Sequence, residues 1–170
     1  APDNRVENPI DFTSLKQENP DIYSWIYIPH TDVNLPVLQS ATNDFLYLDH
    51  NKDGEYAVEG AIYTEMANNT DFSDPVTVLY GHNLQNGTMF STLHYFENED
   101  FFNENDTMYI YTPGSPTASS RRTCTTIVTF STRTTSRTLP FCRSTSTSLC
   151  IRILCWLTPE LTRNCQLMIR

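Results

Sequence analysis

The chain has 170 residues, long enough to bury a core without staples and short enough for one domain by default. Its net charge of −9 argues against a nucleic-acid partner. No apolar run is long enough to span a membrane, and the polar opening "APDNRVENPIDF" reads as an already trimmed start, which leaves room for an upstream export signal or anchor.

The elements of the first part follow one another in a readable order. Asn8 and Pro9 suit a helix cap and first helical position, Ile10 and Leu15 share a face, and Pro20 stops the helix. "WIYI" (Trp25–Ile28) and "PVLQ" (Pro36–Gln39) read as strands around a turn at His30–Asn34. "NDFLYL" (Asn43–Leu48) is a helical turn, and "GAIYTE" (Gly60–Glu65) another strand. In "DPVTVLY" (Asp74–Tyr80) the strand alternation sets Val76, Val78 and Tyr80 on one face and Thr77 and Leu79 on the other. Met89, Phe90, Leu93 and Phe96 recur at helical spacing, and "DTMYIYTPG" (Asp106–Gly114) ends as strand then turn. Short strands with a few small helices predict a mostly β sheet or barrel.

Composition changes abruptly at Gly114. Up to it the basic residues are Arg5, Lys16 and Lys52 against many carboxylates, and all His and Tyr lie there. After it Glu160 is the sole acid and all five Cys occur, among runs such as "STRTTSRT". Residues 1–114 and 115–170 are therefore read as separate units.

The stretches "NPDIYSWIYIPHTDVNLPVLQ", "NDFLYLDHN", "GAIYTE" and above all "LYGHNLQNGTMFSTLHYF" (Leu79–Phe96) resemble class B sortases, the cysteine transpeptidases of Gram-positive cell surfaces. The resemblance runs from about Asn8 to Gly114. It implies an eight-stranded closed β-barrel with short helices and an N-terminal helical element. It also implies a reaction in which a thiolate attacks a Thr carbonyl in a C-terminal sorting signal, forming a thioester that an amine of cell-wall precursor or pilin resolves. The implied partners are a sorting-signal-bearing surface protein and that amine, at the extracellular face of the membrane or in the cell wall, with no cofactor. On "GHN" alone, His82 reads as a structural histidine; with the whole stretch matched, the resemblance makes it the catalytic proton carrier. An imidazole beside a thiol favours the thiolate and can protonate the leaving amine. Asn43 lines the substrate groove by the same resemblance, although "NDFLYL" is one residue longer than the family pattern; taken alone, Asn43 reads as a surface helix cap.

Beyond Gly114 the family pattern stops. Its cysteine ends a Thr-Leu-x-Thr-Cys strand and its arginine opens the next, whereas this chain offers Cys124 after Thr123, with Arg133 following, much closer to His82 than the family gap. Back-translation suggests the reason. One codon choice for Ser115–Ser131, preceded by a C and read from that base, encodes "LTYRIFSAYVYDNRHIL", the alternating strand and turn a class B sortase carries there. A reading-frame shift near Gly114 accounts for the missing acids, the absent Tyr and the excess of Ser, Thr, Arg and Cys. The family's cysteine and arginine then lie beyond Arg170 in the other frame. On this reading the chain is inactive, the last barrel strands are missing or non-native, and the open edge predicts poor folding, aggregation or chaperone dependence. Within the tail, Ile127–Phe130 is a short β-like piece and "LCIRILCWL" (Leu149–Leu157) an apolar strand or helix.

Two alternatives come from other classes: a non-catalytic secreted β-rich binding module, and a divergent cysteine hydrolase using Cys124. Asp49, Asn51, Asp53 and Gly54 partly match a calcium loop, but Glu59 falls one place early and a polar surface loop is the expectation. His30, His50, His82 and His94 form no close pair of ligands on one element, so no metal is expected. The spacing of the cysteines fits no zinc pattern, and the N-x-T sequons at Asn68, Asn86 and Asn105 mean little in a bacterial protein.

Overall fold

A computed structural model describes residues 8–74, 76–105 and 107–114, and the backbone of Ser119–Arg122, Ile127–Thr132, Thr135–Thr138 and Cys150–Leu157. Helix α1 (Phe12–Glu18) opens it. The helix starts later than Asn8 and Pro9 suggested, because Asp11 is the cap: its carboxylate accepts from the backbone N–H of Thr13 and Ser14. Asn8 instead turns the chain ahead of the helix, with Oδ1 accepting from the Ile10 N–H at 3.0 Å. Asn19 closes the helix in extended conformation before Pro20.

Strands β1 (Ile22–Tyr27), β2 (Asn34–Leu38), β3 (Ile62–Tyr63), β4 (Val76–Asn83) and β5 (Thr107–Tyr111) carry the described core. β1 pairs antiparallel with β2 and β5, β2 runs parallel to β3, and β3 lies antiparallel to β4. Alternation along the strands sends side chains to two faces, and both faces are covered. On one, Ile26, Val37, Ile62, Leu79, Phe90, Leu93 and Ile110 form the larger core. On the other, Ile22, Leu38, Ala61 and Tyr63 pack under Tyr47 of a short 3-10 helix (Leu46–Leu48).

Further strands are β6 (Ser119–Arg122), β7 (Ile127–Thr132), β8 (Thr135–Thr138) and β9 (Cys150–Leu157). The sheet runs in the order β6-β5-β1-β2-β3-β4-β9-β7-β8. The mostly β expectation holds, with the sheet curled as a half-barrel. Closure into a barrel is not seen among the described strands, where the edges β6 and β8 do not pair with each other. Nor is β4 left bare, since β9 pairs with it in parallel from Val76 opposite Cys150 to Asn83 opposite Leu157. Within "LCIRILCWL", Cys150–Leu157 thus resolves as a strand. The periodicity at Met89–Phe96 becomes a 3-10 helix (Ser91–Glu97), and α2 (Glu99–Glu104), absent from the sequence reading, follows it from an Asn98 cap.

Candidate functional site

The candidate site grows from the end of β4. Along this strand Thr77, Leu79, Gly81 and Asn83 are buried, while Val76, Val78, Tyr80 and His82 lie on the more open face. The predicted two-face split of the strand therefore holds, and it extends three residues further, through Asn83. Tyr80 stacks on Tyr63 with ring centroids 5.2 Å apart, and burial, reinforced by Glu65, holds its hydroxyl well above the ordinary phenol range. Gly81 sits where no side chain fits: a Cβ would lie 2.5 Å from Ile62 Cδ1 and 2.6 Å from Phe90 Cδ2.

After β4 the chain doubles back at once. Phe90 N–H donates to His82 O at 3.0 Å, and Asn83 bridges Met89. Gly87 and Met89 take positive φ angles of 81° and 58° in this return. Ser91 knits the loop shut, accepting from Leu84 N–H at 2.7 Å while its hydroxyl lies 2.8 Å from Leu84 O and 2.6 Å from Thr88 O. These bonds fix the backbone of His82 and of the two residues after it.

The ring itself is oriented from the opposite side. His82 Nε2 lies 2.7 Å from the carbonyl oxygen of Leu48. A carbonyl only accepts, so Nε2 carries the proton. In the neutral ring the lone pair then belongs to Nδ1, which is buried and has no hydrogen-bond partner among the described residues. A buried nitrogen left this way is costly unless a partner arrives. On the buried face of the same strand, Asn83 Nδ2 donates to His94 Nε2 at 2.7 Å, and His94 Nδ1 donates to Glu97 Oε1 at 2.8 Å.

The other sequence candidates fall elsewhere. Asn43 is exposed, and its Oδ1 accepts from the Phe45 N–H at 3.0 Å, as a local cap does. Cys124 and Arg133 lie outside the described residues. The ladder partner of His82 on β9 is Trp156, so no cysteine holds that register position. The Asp49–Gly60 loop uses its oxygens internally: Asn51 Oδ1 accepts from Asp53 and Glu55 N–H, Asp53 meets Lys52 Nζ at 2.6 Å, and Asp49 meets His50 Nδ1 at 2.7 Å. Among the described residues no group of three or more His, Cys, Asp or Glu is placed to hold a metal. Among them, too, no helix is long and apolar enough to cross a membrane. Sequence reasoning missed the Leu48 carbonyl, because a backbone acceptor leaves no mark in a residue pattern.

The chain matches no protein-family model. It is 37% identical to Sortase B of Listeria monocytogenes over 91 residues, covering 54% of this chain and 37% of that protein. The crystal structure of Clostridium perfringens sortase B superposes with a TM-score of 0.60 at 38% identity, covering 66% of this chain and 59% of that one. A sortase B–substrate complex from Staphylococcus aureus superposes with a TM-score of 0.55 at 32% identity, covering 59% of this chain and 46% of that one. The matched stretch is thus well under half the length of the Listeria protein.

Proposed function

Since this chain belongs to the class B sortase family, an enzyme family of transpeptidases, we propose that its lineage cleaves a C-terminal sorting signal after Thr and transfers the protein to a cell-wall or pilin amine. The observation that carries the reading is His82, anchored through Nε2 and left at its buried Nδ1 without a hydrogen-bond partner among the described residues. A thiolate adds to the Thr carbonyl carbon, the peptide C–N bond breaks, and the departing amine takes its proton from the His82 imidazolium. The acceptor amine then attacks the thioester, returns a proton to His82 and releases the thiolate as the new amide forms. Asn43 contributes to the substrate groove, and the reaction takes place at the extracellular face of a Gram-positive cell.

This particular polypeptide is inactive on our reading. Residues 1–114 are the authentic part of the catalytic domain, and residues 115–170 are read out of frame, so the nucleophile and the arginine are lost. The composition break at Gly114 and the family-like peptide hidden in the other frame support it. The test compares the 170-residue chain with a frame-restored protein in transfer of a sorting peptide to an amine. The restored protein is expected to turn over, His82→Ala to slow it by about 10²–10⁴-fold, and the 170-residue chain to stay at background. Turnover by the 170-residue chain, or labelling of Cys124 ahead of the other cysteines that slows with His82→Ala, would overturn the inactive reading in favour of a divergent hydrolase.

A further inference from the structure

Gly60 lies far from β4 in sequence, yet its backbone bears on the imidazole. It holds φ +58, the left-handed region that favours glycine. A Cβ on it would lie 2.5 Å from Tyr47 O and 2.6 Å from Leu48 O, both backbone atoms with no flexible end to yield. Those two carbonyls have separate duties. Tyr47 O accepts from the Ala61 N–H at 2.9 Å, tying the 3-10 turn to the start of the Gly60–Glu65 segment. Leu48 O receives His82 Nε2 at 2.7 Å. The Gly60 N–H donates to Ala57 O, and Ala57 N–H to Asp49 O, so the loop closes on itself around the contact.

We infer that Gly60 is a positioning residue: by leaving room for the Leu48 carbonyl beside its own backbone, it holds His82 as the Nε2–H tautomer and keeps the lone pair on Nδ1. The inference rests on the proposed role of His82 in proton transfer, but it makes a claim about the ring that needs neither thiol nor turnover. If His82 proves unnecessary for activity while its tautomer is fixed as described, the functional reading fails and this one stands.

The test is ¹⁵N NMR of the histidine rings in the 170-residue chain, at a pH where His82 is neutral. One ring nitrogen should resonate as protonated, Nε2, and the other as bare, Nδ1. A through-hydrogen-bond coupling should link Nε2 to the Leu48 carbonyl carbon. In Gly60→Ala the two ring resonances should move toward each other and the coupling should be lost. Gly54→Ala is the control, because Gly54 has φ +79 with nothing within 4 Å of a Cβ, so it carries the strain without the clash. Its His82 signals should match those of the parent. A parent ring protonated on Nδ1, a missing coupling in the parent, or a Gly60→Ala ring unchanged in tautomer would each overturn the inference. Should Gly60→Ala fail to fold while Gly54→Ala folds, the tight approach at Gly60 is supported, and the parent coupling decides whether that approach serves the ring.

Discussion

Residues 8–114 and the residues after them obey different rules. In the first region sequence pattern, local structure and packing agree: β4 alternates in sequence, alternates in burial, and delivers Leu79 to the core and His82 to the open face. After Gly114 the composition loses its Tyr, His and Lys and nearly all its acids, although the backbone of four strands joins the same sheet. In β7 and β9 a run of β-branched and apolar residues is enough to extend the sheet by backbone hydrogen bonding. Specifying which side chains meet there requires the periodic pattern that the tail lacks.

Matched substitutions across one ladder sharpen this contrast most. Leu79 is fully buried, and its partner on β9 is Ile153. Leu79→Ala should cost about 2–5 kcal/mol in denaturant unfolding, whereas Ile153→Ala, in the part of the chain read as out of frame, should cost clearly less. Equal costs would break the comparison and make the tail a selected part of the core. A smaller effect is expected at Gly81, where a new methyl would strike Ile62 and Phe90. Gly81→Ala should cost about 1–3 kcal/mol, measured in the same unfolding series; a neutral result would mean that the packing around the end of β4 yields freely.

The smallest effect concerns alkaline pH. Burial pushes the Tyr47 hydroxyl up to about 12, while Asn19 and Asp21 hydrogen-bond to it. In the unfolded chain a tyrosine ionises near 10. The raised folded value means that this contribution is complete below about pH 10 and is lost as the pH rises through about 12. Tyr47→Phe should flatten that part of the pH–stability curve and cost about 1 kcal/mol at neutral pH. An unchanged alkaline slope would show that Tyr47 does not link the 3-10 turn to α1 and β1.

How much of this was legible in the sequence depends on which forces set each feature. The strands were readable because burial imposes alternation on residues such as Val76–Tyr80. The helix start at Asp11 was misplaced because Asn8 and Asp11 are both good caps, and only the fold decides which one meets free N–H groups. Helix α2 had a usable signal that went unread, an Asn98 cap followed by Glu99 and Asp100. The closed barrel came with the family resemblance, and the described strands do not close it. At the candidate site, the motif singles out His82 as an expectation, while the Leu48 carbonyl and the clearance at Gly60 are products of tertiary approach between segments distant in sequence.

The central claim is that two reading frames meet near Gly114, and the nucleotide sequence from that codon to well past Arg170 tests it directly. The account predicts that the alternative frame reads "LTYRIFSAYVYDNRHIL" and continues to a Thr-Leu-x-Thr-Cys strand followed by an arginine. Codons for Ser115–Ser131 that give no such peptide in that frame would contradict it, and the tail would then be a genuine part of a divergent protein.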